Sequence, residues 1–288
     1  MRNGFLSLRR APFALFCLAL FLLIVAAAAL APWISPQDPY NNAVVDFFDS
    51  NLPPGSPAGM GGLTYWLGTD ALGRDLLSAI LYGLRITLTV AATASVLALV
   101  IGVTAGLVSA YAGGWVDTII MRLVDILLGF PTILVALTIM ALAGAGTGNL
   151  ILALALVVAQ WPYYARTARS AALVEIGQDY IEAARCLELP HWRIILKHLL
   201  PNSISPILVV LTLQLAHAVA IEASLSFLGL GTSIERPSLG LLIANGSREI
   251  LSGHTWALVY PGLALALLIF TVNVFGDRIR RAMNPQEA

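Results

Sequence analysis

Six apolar runs, at about 13–34, 86–110, 118–143, 149–165, 203–225 and 256–275, divide this chain. Roughly 20 apolar residues carry a helix across a bilayer, so this spacing leaves little choice of fold. The expected class is an all-α polytopic membrane protein with six transmembrane helices. Composition agrees: 58% of residues are apolar and 11% charged, where soluble domains carry roughly 25% charge. A net charge of zero gives no nucleic-acid footprint. Cys17 and Cys186 fall in a span and in a polar interval, so no disulfide framework follows. His191, His198, His217 and His254 do not have the spacing of a zinc site.

The first run follows Arg2, Arg9 and Arg10 and reads as a transmembrane helix. The small residues Ala26–Ala31 leave a cleaved signal peptide as the rival, and either way residues 35–85 emerge outside. That segment is rich in Pro and Gly up to Leu67, a loop composition. From Leu67 to Arg85 it predicts an amphipathic helix on the membrane surface, with Thr69 or Asp70 as cap. Asp70 pairs with Arg74 there, and Leu72, Leu76, Ile80 and Leu84 form a stripe. A short buried helix is the plainer alternative. In the second run Ala98, Gly102, Gly106 and Ala110 recur every four residues, a seam for close helix packing. In the third, Arg122 and Asp125 lie one turn apart and can neutralise each other, and Pro131 kinks or re-aims the helix. The fourth ends in Trp161, Tyr163 and Tyr164, then Arg166 and Arg169, the mark of an interface.

Between the fourth and fifth runs lies a polar elbow, residues 179–202. Asp179 with Glu182 is a capping-box spacing, so a helix is expected from Asp179 through Leu187. Pro190 suits the first turn of a second helix, in which Trp192, Ile195, Leu196 and Leu199 fall on one stripe. Such an elbow either docks a partner or merely connects two spans. Six spans with the N-terminus inside put both termini and the elbow in the cytoplasm. Of the basic side chains, Arg2, Arg9, Arg10, Arg122, Arg166, Arg169, Arg185, Arg193, Lys197, Arg278, Arg280 and Arg281 then fall inside. Arg74, Arg85, Arg236 and Arg248 fall outside, and twelve against four obeys the positive-inside rule.

No P-loop, HExxH, GxSxG or paired intramembrane aspartates occur, so neither catalytic nor metal-binding residues are assigned. The ionisable side chains within spans are Arg122, Asp125, His217 and Glu222, each a weak candidate for a path or gate. Asp125 has a local partner in Arg122. His217 and Glu222 are five residues apart, hence on different faces of one helix, against a paired proton relay. An ion-driven secondary transporter would show inverted repeats, and none is evident. An intramembrane enzyme lacks its catalytic pair.

The elbow DYIEAARCLELPHWRIILKHLLPN resembles the EAA loop of permease subunits of bacterial ABC importers. Glu182, Ala183 and Ala184 match its opening, Leu200 and Pro201 its close, and Trp161–Tyr180 resembles the run into it. Leu67–Arg85, Ser224–Gly240 and Asn273–Pro285 narrow the likeness to the C-type permease of the dipeptide/oligopeptide/nickel branch. His198 stands where the pattern has Ile. Glu188 stands where it has Gly, a position suited to a left-handed turn that costs a residue with a Cβ about 1–2 kcal/mol. Either the elbow turns differently here, or the strain is absorbed.

The resemblance implies a type I ABC importer permease fold. It assigns residues 1–34 to an N-terminal span, 35–85 to the extracytoplasmic loop, 86–277 to the permease core and 278–288 to a cytoplasmic tail. It implies a translocation subunit that works in the inner membrane with a homologous second permease, two cytoplasmic ATPase subunits and an extracytoplasmic solute-binding protein. ATP and Mg bind those ATPases and no cofactor is expected in this chain. Expected cargo is di- or oligopeptide, with nickel, opine or glutathione as alternatives. Glu182, Ala183, Ala184, Arg185, Glu188 and Trp192 are the expected ATPase-coupling residues, and Glu222, His217 and Asp125 possible path or gate residues.

Overall fold

A computed structural model describes residues 12–41, 44–59, 62–144, 148–231 and 236–283. Arg2, Arg9 and Arg10, residues 145–147 of the small-residue turn, 232–235 of the polar loop and the tail beyond Met283 lie outside the described residues. Among the described residues the regular structure is helical apart from one two-stranded ribbon: β1 (Ser56–Pro57) pairs antiparallel with β2 (Thr64–Tyr65).

Among the described residues, four helices are long and apolar enough to cross a membrane: α3 (Leu76–Ala112), α6 (Gly148–Ile176), α8 (His191–Phe227) and α11, whose span covers Trp256–Arg278 and which runs to Met283. α1 (Pro12–Ala29), followed by the single turn α2 (Ala31–Ile34), is apolar on every side. The pair α4 (Gly114–Leu128) and α5 (Thr132–Ala143) together has the length and apolarity of a further span. This count is compatible with six spans.

α3 and α6 form the centre of the bundle, with α8 against both. The small-residue seam explains why. A Cβ on Gly102 would sit 2.4 Å from the Trp161 carbonyl oxygen, and one on Gly106 2.3 Å from that of Ala165. The helices therefore touch backbone to backbone, and Ala98 and Ala110 of the same seam are buried. α11 packs on α8 and on α1, where Phe21 and Phe275 stack at 5.3 Å. The short α10 (Leu239–Arg248) is wedged between α8 and α11, with Gly240 against the Ala223 backbone and Gly246 against that of Ala257.

Two expectations about the spans are corrected. Leu67–Arg85 is no separate surface helix: residues 67–75 are loop, and from Leu76 the helix continues unbroken into the span. At 1.5 Å per residue its 37 residues reach about 55 Å, well beyond a hydrocarbon core of about 30 Å. Asp70 does pair with Arg74, at 2.7 Å from Nε, but inside the loop. The cap is Asp75, which accepts from the Ser78 amide at 2.9 Å and the Ser78 hydroxyl at 2.6 Å. Gln37 secures this corner, its side-chain oxygen accepting from the Asp75 amide at 2.8 Å.

The third expected span, 118–143, is re-aimed at Pro131 as its sequence implies, with α4 and α5 meeting at 89° across Gly129–Pro131. Pro131 supplies the break, since it cannot continue the hydrogen-bond ladder of α4. Arg122 is not the partner of Asp125. Asp125 pairs with Arg166, and Asp117 with Arg169 at 2.6 and 2.7 Å, both on α6. Residues eight apart on α4 thus meet residues three apart on α6, so α4 crosses α6 instead of running beside it.

Candidate coupling site

The elbow begins where α6 ends. α7 (Asp179–Cys186) is preceded by Gln178 as cap, whose backbone carbonyl takes the Ile181 amide at 3.0 Å. The Asp179–Glu182 capping box does not form. The two carboxylates instead stand in the first turn, where they complement the helix dipole. Tyr180 ties the elbow to its flanks: its hydroxyl donates to Glu175 and accepts from Asn202 at 3.1 Å. Burial, and then the Glu175 carboxylate, hold this phenol above the ordinary tyrosine range.

The turn at Glu188 keeps the left-handed conformation although the residue is not glycine, with φ of 52°. The Glu188 amide donates to the Arg185 carbonyl at 2.9 Å and the Leu189 amide to that of Ala184 at 3.2 Å. This is the Schellman pair of bonds that closes a helix. Its usual apolar contact is present too, for Leu189 packs on the cluster of Ile181, Ala184 and Ile194. Strain of about 1–2 kcal/mol is therefore absorbed by two backbone bonds and a small core.

The second elbow helix is the start of α8, with Pro190 just before its first turn as cap. Ile194–Leu199 is wound as a π-helix, which changes the expected stripe. Ile194 and Leu199, five apart, are the residues at 1% and 0% exposure, while Trp192 and Leu196 are 61% and 54% exposed. The wider turn brings positions five apart onto one face. Of the expected coupling residues, Glu182, Ala183, Arg185, Glu188 and Trp192 are exposed, and Leu187 and Leu196 join them. Ala184 faces inward against the elbow's own core.

Sequence reasoning missed Tyr111, at the end of α3. Its hydroxyl lies 2.8 Å from His191 Nδ1, and the Arg185 guanidinium sits over its ring at 5.4 Å. No local pattern announces a contact between residues 80 apart.

The candidate path residues separate. Glu222 is fully buried and accepts from the Ser226 hydroxyl, one turn along the same helix, at 2.8 Å. His217 is exposed on the opposite face of α8. Asp125 is occupied by Arg166 of α6.

Residues 98–287 match the family of binding-protein-dependent transport system inner membrane components, and residues 1–54 match the N-terminal transmembrane domain of oligopeptide transport permease C. A di/tripeptide transport system permease of Pseudomonas aeruginosa is 36% identical over 93% of this chain and 86% of its own length. A dipeptide permease of Bacillus subtilis is 36% identical over 99% and 85%. A glutathione transport system permease of Pectobacterium atrosepticum is 36% identical over 92% and 84%. A chain of the MetNI methionine ABC transporter, solved in inward-facing conformations, shares the fold at a TM-score of 0.58 and 21% identity, over 73% of this chain and 98% of that one. The chain belongs to the binding-protein-dependent transport permeases: it is a multi-pass inner membrane component of such a system.

Proposed function

We propose that this chain is the translocation subunit of an ABC importer for di- and oligopeptides. It pairs with a homologous second permease, the path lying between them. An extracytoplasmic binding protein delivers the peptide, and two cytoplasmic ATPase subunits bind ATP and Mg. Both termini and the elbow lie in the cytoplasm, in keeping with the twelve-to-four distribution of basic side chains. The observation that carries this reading is the two-sided build of the elbow. Its inner face is a small closed core, and its outer face presents Ala183, Leu187, Trp192 and Leu196 between Glu182, Arg185 and Glu188. Apolar side chains held rigidly in water form a docking surface. Closure of the ATPases on ATP then moves the elbow as a body, and the permeases change their open side. His217, on the exposed face of α8, is the residue assigned to the path, whereas Glu222 stays buried within the bundle.

The test is a Trp192→Asp variant in the assembled complex. The reading expects the ATPase subunits to be lost on purification and peptide uptake to fall, with the permease still inserted. Retained ATPase and normal uptake would refute it. The identity with a glutathione permease supports a second cargo, glutathione, a modified tripeptide. Competition between labelled dipeptide and glutathione for uptake separates the two.

A further inference from the structure

We propose that Tyr111 is the positioning residue that pins both helices of the elbow to α3, so that elbow movement is passed along α3 to the loop at its far end. This rests on the elbow being the ATPase lever. One aromatic ring holds both arms: Arg185 of α7 stacks over it, and His191 of α8 hydrogen-bonds its hydroxyl, the two rings lying 5.5 Å apart. The ring also packs on the elbow core of Ile181, Ala184 and Ile194. A shift of either arm therefore loads the last turn of α3.

α3 is suited to carry that load. The other three long helices contain prolines, Pro162 in α6, Pro201 and Pro206 in α8 and Pro261 in α11, and α3 contains none. An unbroken ladder of backbone bonds resists bending where a proline would permit it. Gly102 and Gly106 press α3 onto the α6 backbone, so the two travel together. At the far end, Asp75, Ser78 and Gln37 bond α3 into the 35–75 loop. The inferred route runs from elbow to Tyr111, along α3, to that loop.

The experiment uses the reconstituted complex with its ATPases, binding protein and a labelled dipeptide. Tyr111→Phe keeps the ring under Arg185 and loses the bond to His191, while Tyr111→Leu loses both. Both variants are expected to retain the ATPase subunits and ATP hydrolysis. The ratio of peptide taken up to ATP hydrolysed should fall roughly threefold to tenfold in Tyr111→Phe, the equivalent of one hydrogen bond, and further in Tyr111→Leu. An unchanged ratio in Tyr111→Phe overturns the proposal, and so does loss of the ATPases from that variant, which would make Tyr111 part of the docking face. Trp192→Asp, run in parallel, tests the lever reading separately: ATPases that stay bound and coupled there refute that reading, whatever Tyr111 does.

Discussion

Gly106→Ala adds one methyl group at the tightest point between α3 and α6. The new Cβ would lie 2.3 Å from the Ala165 carbonyl oxygen and 2.9 Å from the Ala168 Cβ. Non-bonded carbon contacts settle near 3.5–4.0 Å, so the helices must part locally by about 1 Å. A gap of that size forfeits a quarter to a half of each contact along the seam, and overpacking of this kind costs about 1–3 kcal/mol. Nothing apolar is gained in return, since lipid already solvates the separated faces. Gly262 in α11 is the internal control, because a Cβ there meets nothing within 4 Å. Gly262→Ala should be neutral or stabilise by up to about 1 kcal/mol through helix propensity. Detergent-induced unfolding of the purified permease, followed by its tryptophans, reads both. Equal stability of the two variants would refute the backbone-to-backbone seam, and with it the rigid α3–α6 body.

Glu188→Gly relieves the left-handed strain and should raise protection of the residue 188 and Leu189 amides in hydrogen exchange, by roughly fivefold to thirtyfold, while coupling is kept; lower protection contradicts the Schellman turn. Ala184→Trp overfills the pocket beside Ile194, so limited proteolysis should cut the elbow faster, whereas Ala183→Ser on the outer face should leave it intact. Asp75 responds to pH: burial raises its carboxyl above the ordinary range, partly offset by its bonds to Ser78. The folded chain then keeps a proton that the unfolded chain releases, so this group lowers stability as pH rises from the ordinary Asp value through the raised one. Asp75→Asn should remove that slope from a melting series across mildly acid pH while preserving the cap.

The sequence exposes most of this architecture because a bilayer leaves few solutions for apolar runs. The seam from Ala98 to Ala110 was legible from spacing alone, since small residues four apart can serve only close packing. Asp125 was misread for a physical reason: Arg122 is its neighbour in sequence, but the 89° turn at Pro131 lets α4 cross α6, where Arg166 competes successfully. The direction of that turn depends on tertiary packing that no local pattern carries. In the elbow, the Glu-Ala-Ala opening and the two helices could be read, and the conflict at Glu188 could be posed but not resolved. The π-turn at Ile194–Leu199 leaves no local signal, so helical spacing groups Trp192, Ile195, Leu196 and Leu199 on one stripe, whereas Ile194 and Leu199 are the buried pair. Tyr111 lay beyond reach because its partners, Arg185 and His191, come from a different part of the chain.

The chain carries its own probe for the central claim. Cys186, at the end of α7, is exposed, while Cys17 is buried against the bundle. A short thiol-directed photocrosslinker on Cys186 of the assembled transporter, with Cys186→Ser as the blank, reports what the outer face of the elbow touches. The account predicts a covalent adduct between this permease and an ATPase subunit. Adducts confined to lipid or to the second permease, with the ATPases present in the complex, would contradict it.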